Sequence, residues 1–509
     1  MLEKNTPFTK IFVSKYAMRT VKNPQLQLGG TTIEKIKINL KSRDDIPPLL
    51  LGLQHIYTNI ELREKVFAIL EENIKPDTDN DTGRPGMDLW NILVFGVLRL
   101  NLNWDYDHLT EMANNHKTIR MMVGHGTFTD DYEYKLQTLK DNVALLTPEL
   151  LDKINTVVVE AGHSIVKKKE DEELQGRCDS FVVETDVHYP TDINLLFDAM
   201  RKVITLIATL CTLCGLSGWR QSEHNIKTIK RLFRKAQQLK RSTSKDQDKK
   251  AAREELIKTA HQEYIDNAAT FLDRARGAVK QANSGGAMAI ALIFTIEKFI
   301  AHAERQIDQI HRRVILGEKI PHAEKVFSLF EEHTEWISKG KAGVPVELGL
   351  KVCVLEDQYG FILHHRVMEN ETDDQVAVPM VEESIEKFST LTTCSFDKGF
   401  HSPANQQDLQ EHLDKVILPR KGKLSVKDKE REYSPDFIKA RHQHSAVESA
   451  INALEVHGLD RCPDHGIHGF KRYVALAVLA RNIQQLGVKL RQKELELLEM
   501  QKKKLKKAA

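Results

Sequence analysis

The stretch RHQHSAVESAINALEVHG, Arg441–Gly458, decides how this chain is read. Val447, Ile451 and Leu454 recur at i, i+4 and i+7, the spacing of one apolar helical stripe. That pattern predicts a single helix, with Gly458 as its stop. Glu448 falls one position round from the stripe, so Arg441, His444, Glu448 and Glu455 share a polar edge beside it. A carboxylate at the margin of a buried face, flanked by basic groups, suits metal or phosphate chemistry. Taken alone, the same residue describes a solvated helix edge.

Segments before it supply company. Leu391–Phe396 reads as a strand running straight into Asp397-Lys-Gly-Phe, which sets Asp397 at a strand's carboxyl end, where ligands gather in open α/β sheets. Leu348–Leu355 and Phe361–Val367 read as a strand pair, Val381–Phe388 as a helix, Ser402 as a helix start and Val416–Leu418 as a strand. Farther back, CDSFVVETDVHYPTD is rich in Val, Phe, Thr and Tyr and breaks at Pro190, as a strand would. Helical texture separates the two strand regions. The expected fold class is therefore α/β, a sheet interrupted by a long helical insertion. An acid from the first strand region, Asp397 and Glu448 can then converge. Three carboxylates hold two divalent ions that clamp the attacking and leaving oxygens of a phosphodiester. Oxygen-only ligation suits Mg²⁺ or Mn²⁺.

The insertion is basic at its centre. Between Arg220 and Lys258, 13 Lys/Arg face five acids, leaving +8, although the whole chain carries only +2. Lys227, Lys230, Arg231 and Arg234 fall on one helix face, the electrostatic footprint of a polyphosphate partner. Six cysteines in 509 residues form no disulfide framework, and neither Cys211-x-x-Cys214 nor Cys462 with His465 and His468 makes a convincing zinc site. No signal core opens the sequence, and Ala287–Ile296 is shorter than the ~20 residues a bilayer needs, so it reads as a buried helix. These features point to a cytoplasmic protein with reduced thiols and no membrane partner.

Residues 1–45 read as a loosely ordered polar leader, and 75–86 as a loop. Asp88 is placed to cap a helix over Leu89–Leu100 with one apolar stripe. A second helix from near Asp107 follows, as a helix-turn-helix or an ordinary helical hairpin. Glu149–Lys168 and Tyr473–Leu490 read as further helices, and the basic C-terminal run as a frayed tail.

Four segments, GRPGMDLWNILVFGVLRLNLNWDYDHL, CDSFVVETDVHYPTDINLL, FDKGFHSP and RHQHSAVESAINALEVHGLDRC, jointly resemble bacterial insertion-sequence transposases of the DDE class, most closely those grouped as ISNCY-type. They occur in the family's order across most of residues 46–485. The resemblance implies a ribonuclease H-like mixed-sheet catalytic domain over 171–192 and 344–490, interrupted by the helical basic insertion 193–343. It is preceded by an all-helical DNA-end-binding domain over 46–170 and followed by a basic tail, 491–509. Carried over residue by residue, the catalytic and metal-binding acids are Asp179, Asp397 and Glu448. Glu184, Asp186 and Asp192 are rivals for the first position; Asp179 occupies the acid of the Asp-Ser-x-Val-Val-Glu string.

The implied partners are DNA, as terminal inverted repeats and target, held by Lys227, Lys230, Arg231, Arg234, Arg441 and His444. Two Mg²⁺ or Mn²⁺ ions and a homodimer on DNA are also implied. The wider Asp–Glu class often has Arg four residues before its glutamate and Lys seven after; His444 and Glu455 stand there instead. Two rival functions share these residues: a non-catalytic DNA-binding remnant, and a metal-dependent nuclease that never joins strands.

Overall fold

The computed structural model describes residues 20–22, 29–72, 86–126, 130–282, 286–338 and 345–508, with side chains to 504. Most of the leader and of the 75–86 loop lie outside them. The chain is mixed α/β. Among the described residues the strands are β1 (Leu174–Thr185), β2 (Glu335–Ser338), β3 (Val346–Glu356), β4 (Ile362–Met368), β5 (Leu391–Phe396), β6 (Lys415–Ile417) and β7 (Arg461–Cys462). They form one sheet in the order β2-β3-β1-β5-β6, with β4 against β3 and β7 against β1. β1 is antiparallel to β3, and β3 to β4, whereas β5 and β7 run parallel to β1 and β6 parallel to β5. β5 begins and ends where its sequence predicts.

Two compact units result. One comprises Met1–Asp186 with Ile337–Ala509; the other is Val187–Trp336. In the first, helix Leu89–Asn101 is buried at every position, Asn91, Arg99 and Asn101 included, so the expected single stripe gives way to burial all round, the mark of a central core helix. Asp88 precedes it but does not cap it. Its carboxylate takes the Thr20 hydroxyl at 2.9 Å, while the Leu89 and Trp90 N–H groups reach the carbonyls of Thr20 and Val21. The leader itself therefore supplies the cap. The next helix, Tyr106–Asn115, is capped by Asp105, which accepts from the His108 N–H at 2.7 Å.

Helix Gly466–Ala508 crosses helix Ile46–Thr58 in backbone contact: a Cβ at Gly487 would lie 1.8 Å from the Pro48 carbonyl oxygen. Only glycine fits there. Asn482 on the same long helix donates to Asn155 at 2.7 Å and to the Ile362 carbonyl at 2.8 Å, and accepts from the Ile362 N–H at 2.9 Å. A buried amide satisfied this way locks β4 to helix Pro148–Val166. Thus the helices of 46–166, read from the sequence as a domain of their own, share one core and one polar network with the sheet. The long helix also outruns its predicted 473–490 span. After Gly487 it meets no Gly or Pro, and Lys, Glu, Leu and Gln are strong helix formers, so the tail stays helical rather than frayed.

The second unit packs helices Asp192–Leu213, Ser222–Gln238, Gln247–Gln281 and Gly286–Ile310 around Val203, Ile207, Tyr264, Leu272 and Ile296. Helix Gly286–Ile310 differs from its expectation in two ways. It buries Ala289, Leu292 and Ile296 but exposes Met288, Ile290 and Phe294. With the turn that continues it to Ile315, it is long and apolar enough, by length and composition, to cross a membrane. The apolar texture simply continues past Ile296 through Phe299 and Ile300, which pack into the helical core.

Candidate functional site

Strand register builds the site. Cys178 of β1 pairs in parallel with Phe396, the last residue of β5, so the next residue on each path is an acid: Asp179 and Asp397. Neighbouring strands lie ~4.8 Å apart and residues in register share a face, so these carboxylates stand side by side. The rival Asp186 lies beyond the far end of β1, roughly 20 Å along at the ~3.3 Å rise of a strand. There Arg461 of β7 binds Glu184 at 3.0 Å and approaches Asp186 at 3.8 Å. Asp192 pairs with Arg313 in the helical unit. Of the four candidates for the first acid, Asp179 is the neighbour of Asp397.

The predicted single helix over Arg441–Gly458 is interrupted. Helix Pro435–His444 ends at Ser445, helix Ala446–Leu454 follows, and a wide turn, Glu455–Leu459, closes it with Gly458 at φ 106°. The cause is local: the Ser445 hydroxyl donates to the His442 carbonyl at 2.8 Å and draws that carbonyl out of the helical ladder. Glu448 consequently sits in a first helical turn, where the helix dipole favours a carboxylate. The Ser395 hydroxyl and His444 Nδ1 are 3.0 Å apart, and Ser395 is in register with Arg177, which fixes this helix pair over the Asp179 face of β1.

Burial pushes the Asp179 carboxyl up to about 6, and the charges of Asp397, Asp373 and Glu448 push the same way; a 2.7 Å bond from the Ser180 N–H opposes them. Asp397 and Glu448 are exposed, and among the described residues neither carboxylate has a hydrogen bond or ion pair. His444 is half-buried, and burial lowers its pKa although Asp397 and Glu448 pull the other way. Arg441 is exposed on the same helix.

Sequence reasoning missed Asp373. It opens helix Asp373–Lys387, whose predicted start came eight residues late because Pro379 lies inside it. Its carboxylate accepts from the Ser180 hydroxyl at 2.6 Å and from Lys351 Nζ at 2.8 Å. Asp179, Asp397 and Glu448 offer oxygen donors only, the donor type that a hard divalent ion takes. The side chains are not drawn into a finished cage: no group of three His, Cys, Asp or Glu among the described residues stands at ligating distance of a common point.

In the helical unit, helices Ser222–Gln238 and Gln247–Gln281 enclose an open cleft of about 750 Å³. Lys227, Lys230, Arg231, Arg234 and Lys235 line it, with Leu239, Leu256 and Ala260 as its apolar part. Lys235 is bound to Glu263 at 2.6 Å; the four residues of the predicted stripe are exposed and have no acidic partner among the described residues. Comparison with protein-family models, with curated proteins and with solved structures gave no match to this chain.

Proposed function

We propose that the chain is a DNA transposase of the DDE class, cleaving at the ends of an insertion sequence and joining the freed 3′-hydroxyl ends to target DNA. The observation that carries this reading is the β1–β5 register, which sets Asp179 beside Asp397 under the helix bearing Glu448. A ribonuclease H-like identity for the sheet is supported by β1 lying between an antiparallel pair, β3 and β4, and the parallel strands β5 and β6. Asp179, Asp397 and Glu448 would hold Mg²⁺ or Mn²⁺, two ions in all. Such ions neutralise the scissile phosphate and lower the pKa of an attacking water.

The chain's own residues do the rest. The three acids fix where the phosphodiester sits, Asp179 joining in its ionised form above about pH 6. Arg441 and the basic cleft hold backbone phosphates, and the helices of 46–130 read the terminal repeats. The first reaction is hydrolysis, breaking the P–O3′ bond at the element end. In the second, the released hydroxyl attacks a target phosphate in line and expels a target 3′-oxygen, with no covalent enzyme intermediate. The protein acts as a homodimer in the cytoplasm, one protomer at each end. End-labelled DNA carrying the element terminus, incubated with Mg²⁺ and a plasmid, tests this. Cleavage with joined product supports the transposase; cleavage alone leaves a nuclease; binding alone leaves a non-catalytic remnant.

A further inference from the structure

Two carboxylates on different elements can share metal ions only if something holds the elements at a fixed spacing. β1 and β5 are paired up to Cys178 and Phe396, and beyond that last pair Asp373 touches both β1 and the turn carrying Asp397. Its Oδ1 takes the hydroxyl of Ser180, the residue after Asp179, and its Oδ2 takes the ammonium of Lys351 on β3. Asp373 is thereby tied to both strands of the β1–β3 pair. The register explains why these partners coincide: Lys351 lies opposite Val182, two residues from Ser180, and so faces the same side of the sheet.

The Asp397 turn, Lys398–Phe400, rests on the other side of the same carboxylate. A Cβ built on Gly399 would stand 3.1 Å from Asp373 Oδ2, so a larger residue there would push turn and carboxylate apart by a few tenths of an ångström. Asn405, buried on helix Pro403–His412, clasps the turn there. Its amide donates to the Phe400 carbonyl at 2.8 Å and to the Asp374 carbonyl at 2.6 Å. One side of Asp373 is thus bonded to the strand of the first acid, and the other is packed against the turn of the second.

We propose that Asp373, held by Ser180 and Lys351, is a positioning residue that sets the spacing between Asp179 and Asp397. It is not counted among the ligands, because its partners Ser180 and Lys351 lie on the face of the β1–β3 pair opposite to that of Asp179. The inference rests on the metal-site reading, and the test separates the two. Mn²⁺ is titrated calorimetrically into the full chain without DNA, for wild type, Asp397→Asn, Asp373→Ala, Lys351→Met and Gly399→Ala. Circular dichroism verifies the fold of each.

Groups that orient metal ligands typically cost roughly 10–100-fold in affinity when removed, and that weakening is expected for Asp373→Ala. The decisive variants are the other two. Lys351→Met deletes the positive charge that pairs with Asp373, so charge alone predicts tighter Mn²⁺ binding, whereas loss of positioning predicts weaker. Gly399→Ala changes no charge and is expected to weaken binding by pressing the turn off Asp373. Tighter binding in Lys351→Met, or wild-type binding in both Lys351→Met and Gly399→Ala, overturns the inference even if Asp373→Ala does not fold. Wild-type Mn²⁺ binding in Asp397→Asn, or none in the wild type, overturns the metal-site reading on which it stands.

Discussion

In the sheet-bearing unit strand register sets two of the candidate acids, Asp179 and Asp397, side by side, and Asp179 alone is partly buried and hydrogen-bonded; in the helical unit the basic residues are placed by helix periodicity alone. Asp179 is partly buried, bonded to the Ser180 N–H and strongly perturbed. Lys227, Lys230, Arg231 and Arg234 are exposed, without acidic partners, along an open cleft. The difference follows from what each charge must do. Chemistry at one phosphorus atom needs carboxylates placed to a fraction of an ångström, and that precision requires desolvation and a supporting scaffold. Holding a phosphate backbone needs only a dense field of mobile cations, which water and counterions surround until DNA displaces them.

The first way to break this comparison is Asp397→Asn, which keeps the side chain's size and loses its charge. Cleavage is expected to fall by more than ~100-fold, beyond the usual cost of losing a group that merely orients a ligand. DNA binding, measured by fluorescence anisotropy, is expected to stay within about twofold, since phosphate-holding cations elsewhere supply most of it. Parallel loss of both would make Asp397 structural.

Gly487→Ala addresses the scaffold instead. The new Cβ would overlap the Pro48 carbonyl, and overpacking of this kind costs about 3 kcal/mol or more where backbone must move. Calorimetry is expected to show a lowered transition for the sheet-bearing unit, while the Val187–Trp336 unit, whose core does not include that crossing, keeps its own.

A third prediction turns on pH. Burial, and then its acidic neighbours, hold Asp179 at about 6 against an ordinary 3.8, so the folded state binds its proton more tightly than the unfolded state. The resulting stabilisation is fully present below about pH 4 and lost as pH rises through about 6. In metal-free protein, Asp179→Asn is therefore expected to be more stable than wild type at pH 7, by up to about 3 kcal/mol, with the gap closing by pH 4. Denaturant titrations at the two pH values measure it. A gap of the same size at both would show that charge is not its source. Mn²⁺ binding by the wild type is expected to weaken below about pH 6, as protonation removes a ligand.

The helical unit gives the mildest effect. Replacing Lys227, Lys230, Arg231 and Arg234 with Gln is expected to flatten the log–log salt dependence of DNA binding by roughly 2 to 4, at ~0.9 for each phosphate neutralised. Sequence preference is expected to survive, because phosphate contacts position and base contacts specify. An unchanged slope would reduce the cleft to a solvated face.

What was legible in the sequence divides along the same line. β5 is bounded by residues that state their own limits, a Leu/Thr/Phe-containing strand ended by Asp-Lys-Gly, and its span was read without error. The basic stripe needed only helix spacing. Elements whose ends depend on long-range partners were not readable. Helix Asp373–Lys387 runs through Pro379, so its start was missed, and Asp373 with it. Asp88 looked like a cap, but the carbonyls of Thr20 and Val21 do that work for Leu89 and Trp90, each from 69 residues away, a pairing no local pattern announces. Between Asp179 and Asp186 the sequence offered only a resemblance to favour Asp179, because both lie in one strand-like run; the β1–β5 register is what sets Asp179 beside Asp397.

The most direct measurement is anomalous diffraction from crystals of the wild-type chain soaked in Mn²⁺ at pH 7.5. The account predicts density between Asp179 and Asp397, with carboxylate oxygens at about the 2.0–2.2 Å expected of small hard divalent ions and Glu448 closing on the same position. Peaks only at the Arg461 end of β1, beside Glu184 and Asp186, or none near Asp397, would contradict it.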